Sequence, residues 1–206
     1  MTLEELRGRY RGRTVVCIAS GPSLTEEDCE LARQSGHPTT AVNLSFRRAL
    51  WADMLFGMDA PFWQQYIDEV LSTFKGERWG YVRMPKEMGV IATKGALYPT
   101  GWGNSGSYAI SLNVVAKPMK IVLLGYDCKY ADDGKRHWHE DYPERMGNAS
   151  TLSRWPYQFE LVAKYARQHG VNVVNCSRSS ALTCFERGDL ASELNNCATI
   201  GIVQNC

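Results

Sequence analysis

Short apolar runs alternate along the chain with longer stretches in which apolar positions recur every three or four residues. The short runs lie at 14–19, 39–43, 53–57, 79–83, 120–125 and 171–175, and they predict β-strands. The longer stretches at 26–35, 61–74, 107–116 and 156–169 predict amphipathic helices. Strands alternating with helices predict an α/β fold: a Rossmann-like three-layer sandwich around a mostly parallel central sheet. No internal repeat or low-complexity linker interrupts the pattern, so a single domain is expected over 1–206. Residues 126–153 carry many charged and aromatic side chains and no clear period, which predicts a long, lid-like loop.

In an open parallel sheet, ligands bind beyond the carboxyl ends of the strands. The unusual polar clusters of this chain fall at those ends: "SGPSL" after the first strand, "NLS" after the second, "GMDAPFW" after the third, "GYDCKY" after the fifth and "NCSRSSAL" after the sixth. Their convergence on one crevice is the expectation on which the functional reading rests.

Composition narrows the classes. Net charge is +1, with 23 basic and 22 acidic residues, so bulk electrostatics does not direct the chain to nucleic acid. No apolar run approaches the ~20 residues of a membrane span. The charged N-terminus lacks a signal-peptide core, and the seven cysteines are scattered without close pairs, which points to the reducing cytoplasm. Cys17 lies inside a strand and reads as core, while Cys176, Cys184, Cys197 and Cys206 are too irregularly spaced for a zinc site.

Three stretches carry candidate chemistry. In "VVCIASGPSL", Gly21 suits positive φ or close approach of a ligand, Pro22 and Ser23 follow it, and Ser23 with Glu26 fits a capping box. The helix that follows would offer unpaired N–H groups to a phosphate. In "GWGNSGSYAISLNVVA", Gly101, Gly103 and Gly106 surround Asn104 and Ser105 just before a helix, a second place for an anion or a ribose. In "GYDCKYADDGKRHWHEDYPERMGN", His137 and His139 stand two apart, with Glu140 and Asp141 behind. A histidine near neutral pKa suits a general base, and zinc or manganese stays open at that cluster. Asp59 reads as the cap of the helix starting at Pro61, and Phe62, Trp63, Tyr66, Trp51 and Trp155 read as packing residues.

Taken in order, these motifs resemble those of the family 42 sialyltransferases and of the DUF115 (hydroxymethylpterin pyrophosphokinase-like) proteins. "IASGPSL" is similar to their "GNGPSL" start, with Ser20 where the sialyltransferases have Asn. "GNSGSYAISLNVVAKPMKIVLLGYDCKY" resembles their second signature, and "VNVVNCSRSSAL" their final strand. Small bacteriophage-encoded proteins share "GPSL" and the "HWH" loop. The resemblance implies a CMP-type nucleotide beside Gly21, Pro22 and Ser23, with Asn43 bonded to it and Asp59 near it. Asn104, Ser105 and Gly106 match the segment at the donor's phosphate or sugar, and Gly125, Tyr126 and Asp127 the segment at ribose and base. It also implies that His139 or His137 is the general base.

The leading expectation is therefore an inverting glycosyltransferase that uses a nucleotide-activated sugar as co-substrate and needs no resident cofactor. The helix starts after Gly21 and Gly103, with the hydroxyls of Tyr130 or Tyr142, would stabilise the departing phosphate. One alternative is a pyrophosphokinase, with Mg²⁺ held by Asp59, Asp127 or Asp141. Another is a non-catalytic nucleotide-binding phage accessory protein. The acceptor, a nucleic-acid base among the options, and a homo-oligomeric state stay open.

Overall fold

A computed structural model describes residues 2–93, 95–98, 103–143 and 146–195. Eight strands form one sheet: β1 (Thr14–Ile18), β2 (Thr39–Val42), β3 (Met54–Gly57), β4 (Glu77–Gly80), β5 (Val90–Ala92), β6 (Lys120–Leu124), β7 (Asn172–Asn175) and β8 (Glu186–Arg187). Their order is β5-β4-β3-β2-β1-β6-β7-β8, and every pairing is parallel. The order grows outward from β1 on one side and from β6 on the other. The switch point thus lies between β1 and β6, whose five residues pair in full register from Thr14↔Lys120 to Ile18↔Leu124. This is the α/β, Rossmann-like arrangement that the sequence pattern predicts, with the sheet wholly rather than mostly parallel.

Both faces of the central strands are buried, which explains why β1 and β6 read as continuous apolar runs. Val15, Cys17, Ile121 and Leu123 face a core built with α4 (Ser105–Val115) and α5 (Trp155–Gln168). Val16, Ile18, Val122 and Leu124 face a second core with α2 (Glu26–Gln34), α3 (Ala60–Thr73) and α6 (Leu190–Asn195). Phe62 and Trp63 of α3 are fully enclosed there, each worth ~1.5–3 kcal/mol of burial or more. A short α1 (Leu3–Leu6) adds Leu6 to the first core.

The helix α4 positions the site. It returns from the sheet edge at β5 to start β6, and packs across β1, β2 and β3. Ten of its 11 residues are buried. Its polar members are paired: Thr40 Oγ1 donates to Asn113 Oδ1 at 3.0 Å, and Tyr98 N donates to Ser111 Oγ at 3.0 Å. A helix enclosed on all sides can start only where the fold leaves room, and this one starts at the carboxyl edge of the sheet.

The structure moves one strand and adds two. β4 spans Glu77–Gly80 rather than 79–83, because Glu77 is accommodated by Arg9 at 3.0 Å and by the Trp79 indole at 3.0 Å. β5 and β8 were not legible as runs. The predicted helix start at Ser107 moves back to Ser105, with Asn104 as its cap.

Candidate functional site

The loops after β1 and β6 meet at the switch point. Gly21 N donates to Gly125 O at 2.8 Å, and Ala19 N to Leu124 O at 2.8 Å. A Cβ on Gly21 would stand 2.4 Å from Asp127 Oδ1 and 2.5 Å from Gly125 O. Gly21 does not adopt positive φ, as the sequence suggested; close approach of the neighbouring loop is what requires glycine. Gly125 has both constraints, a φ of +67° and a carbonyl of Ala19 at 2.3 Å from its would-be Cβ.

Ser23 is not the cap of α2. Thr25 is, with Asp28 completing the box. Ser23 instead donates from its N to Asp127 Oδ2 at 2.7 Å and from its Oγ to Asp127 Oδ1 at 2.8 Å. The loop after β7 closes over this pair: Ser179 N donates to Ser23 Oγ at 3.3 Å and Ala181 N to Asp127 O at 2.8 Å. "NCSRSSAL" is therefore a clamp on the other two loops and not a wall of the cavity. Burial raises the Asp127 carboxyl pKa, and the Ser23 bonds pull against that rise.

Beside this junction lies a cavity of about 360 Å³, in the range of small-ligand pockets (~300–1,000 Å³). Its floor includes Ala19–Pro22, Val42, Asn43, Met58 and Asp59. Gly103–Gly106 form one side, and Gly125–Tyr130 another. Arg136, His137, Tyr142 and residues 146–152 also line it, so the long loop does wall the site. Met58, Leu152, Trp155 and Phe159 give it an apolar patch. Of the predicted residues, Ser23, His139, Glu140 and Asp141 stand outside the lining. Gly101 lies outside the described residues.

Asn43 is the most unusual residue here. It follows β2 with φ +50°, the left-handed conformation that asparagine adopts more readily than other non-glycine residues. Its Oδ1 is buried and has no hydrogen-bond partner among the described residues. Asn104 is differently placed: its Oδ1 caps Ser107 N at 3.0 Å and its Nδ2 donates to Gln158 Oε1 at 2.7 Å. Asn104 thus shapes the start of α4. The amides of Ser105 and Gly106, which follow it, have no acceptor among the described residues and face an end with no acidic residue in its first turn. The start of α2 is the opposite case. Glu26, Glu27 and Asp28 occupy its first turn, and it does not line the cavity, so the phosphate place expected after Gly21 is not there.

Asp59 holds the N-cap position of α3 but makes no side-chain cap bond, contrary to expectation. Asp59 lines the cavity and is exposed, and partial desolvation there raises its carboxyl pKa. Tyr126 reaches into the core beneath the cavity, its hydroxyl donating to Gly106 O at 3.2 Å and lying 3.0 Å from Cys17 Sγ. Tyr130 is exposed and donates to Ala149 O at 3.4 Å.

His137 and His139 stack at 4.9 Å with an interplanar angle of 8°, and both meet the Tyr142 ring edge-on. The Nε2 of each is buried without a partner among the described residues. Burial pushes both pKa values down, His139 to about 4, so His139 is not the near-neutral histidine that the sequence suggested. His137 is the one at the cavity; His139 stands behind it.

Among the described residues, no three His, Cys, Asp or Glu side chains gather as a metal site. Cys17 is fully buried, as expected, while Cys197 and Cys206 lie outside the described residues. No helix among the described residues is long and apolar enough to cross a membrane. Sequence reasoning missed Lys129 and Arg136 at the cavity, because nothing in a charged loop marks which side chains turn inward.

No protein-family model and no curated protein matches the chain. Among solved structures, BdcA (YjgI) from E. coli is similar over 83% of this chain and 86% of that one, at 12% identity and a TM-score of 0.31. A likeness of that size carries no argument about the site.

Proposed function

We propose that the cavity binds a nucleoside phosphate and that the protein is a glycosyltransferase-like transferase using a nucleotide-activated sugar of the CMP type. The observation that carries this reading is the meeting of two unmet needs in one cavity. The first turn of α4 presents N–H donors that no described residue claims, which suit a phosphate. The buried Asn43 Oδ1 lacks a donor among the described residues, which a ribose hydroxyl or a base amino group supplies.

The reaction follows from those positions. An acceptor hydroxyl attacks the anomeric carbon as its proton passes to His137, and the bond from that carbon to the phosphate oxygen breaks. The nucleotide leaves with its new charge facing the Ser105 and Gly106 amides, and donors of this kind are worth ~3–4 kcal/mol each. Burial keeps His137 unprotonated at neutral pH, ready to accept. Tyr142 and Tyr130 line the same cavity and offer hydroxyls to the leaving group in this reading.

The depressed histidine pKa values also favour a second reading, nucleotide binding without turnover, because a weak base is a poor proton acceptor. The Mg²⁺-dependent pyrophosphokinase fits the residues less well. Asp127 is engaged by Ser23 and Asp141 by Arg136 at 2.9 Å, which leaves Asp59 alone to hold the ion.

A thermal-shift screen against CMP, UMP, GDP, ATP and their sugar conjugates tests the reading. A ligand at 100 times its Kd stabilises by ~2.7 kcal/mol. Stabilisation by a cytidine or uridine phosphate that falls to ~1.4 kcal/mol in Asn43→Ala supports it, and no shift with any nucleotide overturns it. Consumption of a CMP-sugar separates the transferase from the binding protein.

A further inference from the structure

The peptide unit between Gly106 and Ser107 is held at both ends. Its N–H donates to Asn104 Oδ1 at 3.0 Å, and its carbonyl accepts from the Tyr126 hydroxyl at 3.2 Å. The amides that the nucleotide reading gives to the phosphate, those of Ser105 and Gly106, come immediately before it in the same turn. Asn104 is a local cap and shapes that turn. Tyr126 lies 20 positions away, on the loop after β6, so its bond fixes where the turn stands against the sheet.

The Tyr126 side chain is 2% exposed, and its ring meets Phe159 edge-on at 5.8 Å. Close approach of these rings is what requires glycine at 106: a Cβ there would stand 3.1 Å from Tyr126 Cε1 and 3.3 Å from Phe159 Cζ. A carbonyl only accepts, so the hydroxyl proton goes to Gly106 O, and the Cys17 thiol at 3.0 Å donates to the phenolic oxygen. Burial raises the phenol pKa well above its ordinary value, which keeps that proton in place. Phenylalanine would fill the same volume. What the hydroxyl adds is a bond aimed at this turn.

The backbone of Tyr126 is fixed from the other side. Its N–H donates to Ser177 Oγ at 2.7 Å, and its carbonyl accepts from Ser180 Oγ at 2.7 Å and from Asn175 Nδ2 at 3.4 Å. Asn175 also ties the two serines together, donating to Ser180 Oγ at 3.0 Å and accepting from Ser177 N at 3.0 Å. The loop after β7 does not line the cavity, yet through Tyr126 it reaches the turn that does.

We propose that Tyr126 is a positioning residue: its hydroxyl, braced by the loop after β7, holds the first turn of α4 in the orientation that receives a ligand's phosphate. This inference rests on the nucleotide reading and names the residue that preorganises its phosphate end. Tyr126 acts through the Gly106 peptide and not on the ligand.

Titration calorimetry of CMP, and of cytidine, which lacks the phosphate, into the wild type and Tyr126→Phe tests this role. Phenylalanine keeps the ring contacts, and the Gly106 carbonyl keeps the bond that helical geometry gives it. The variant is therefore expected to melt within about 4 °C of the wild type. CMP should bind it roughly three- to tenfold more weakly, while cytidine binds both proteins within about twofold. If Tyr126→Phe does not fold, Ser180→Ala carries the test, with a smaller loss expected for CMP alone. Unchanged CMP affinity, or equal losses for CMP and cytidine, overturns the proposal and leaves the nucleotide reading standing. Wild-type protein that binds CMP no more tightly than cytidine also overturns it, because the turn then receives no phosphate. If neither ligand binds the wild type, the nucleotide reading falls as well.

Discussion

The carboxylate of Asp127 accepts two hydrogen bonds from a single residue, Ser23, one from its amide at 2.7 Å and one from its hydroxyl at 2.8 Å. The two residues are 104 positions apart in sequence and lie in the loops that follow β1 and β6, the two strands between which the strand order reverses. The tie fixes the spacing of the loops that flank the cavity.

Ser23→Ala removes one of those bonds and leaves a carboxylate that is 2% exposed only partly satisfied. Hydrogen bonds to charged groups contribute ~1.5–3 kcal/mol, and a loss in that range is expected in urea unfolding. A change below ~0.5 kcal/mol would show that the tie is incidental.

Gly21→Ala tests the close approach of the two loops. The added methyl meets Asp127 and the Gly125 carbonyl at 2.4–2.5 Å, and overpacking of this kind costs ~1–3 kcal/mol or more. Gly134→Ala is the reference, because Gly134 has φ +84° with open space around it, so only backbone strain of ~1 kcal/mol is expected. Equal costs at the two positions, measured by denaturant midpoint, would contradict this account of Gly21.

Asn43 separates fold from binding. Asn43→Gly relieves the positive φ and leaves stability equal or improved, while removing the amide that meets the ligand. Asn43→Ala loses both. Nucleotide affinity should fall about tenfold in each, from loss of ~1–1.5 kcal/mol of hydrogen bonding. An Asn43→Gly protein that binds as the wild type does would remove Asn43 from the site.

The buried histidines make stability depend on pH in a definite direction. His139 has a pKa of about 4 in the folded chain, because burial disfavours its charged form, and ~6.5 when unfolded. The unfolded chain therefore binds more protons between these values. The histidine's contribution is intact above pH ~6.5 and is lost as pH falls toward 4. The melting temperature should decline over that window, and His139→Gln should decline less. Parallel curves for the two proteins would contradict the burial of this side chain.

The elements that give the sheet its centre were legible because β1, β3 and β6 are enclosed and their apolar runs are unbroken. β5 and β8 escaped notice because they have three and two residues at the sheet edges, with Glu186 and Arg187 exposed. The site was legible as a set of strand ends, and Asn43, Asp59, Ser105 and Asp127 do line one cavity. Their individual roles were not. Ser23 followed by Glu26 matches a capping box locally, yet Thr25 with Asp28 fills that need two residues later and frees Ser23 for a partner 104 positions away. Periodicity reports burial, but it does not report which of several eligible donors finds which acceptor.

The central claim is that a nucleoside phosphate lies in the cavity with its phosphate at the start of α4. Titration of the ¹⁵N-labelled protein with CMP tests it most directly. The largest amide shifts should fall on Gly103, Asn104, Ser105 and Gly106, together with the side-chain amide of Asn43. Shifts concentrated in the groove between α5 and β8, around Arg167, Asn172 and Glu186, would place the ligand elsewhere and contradict the account.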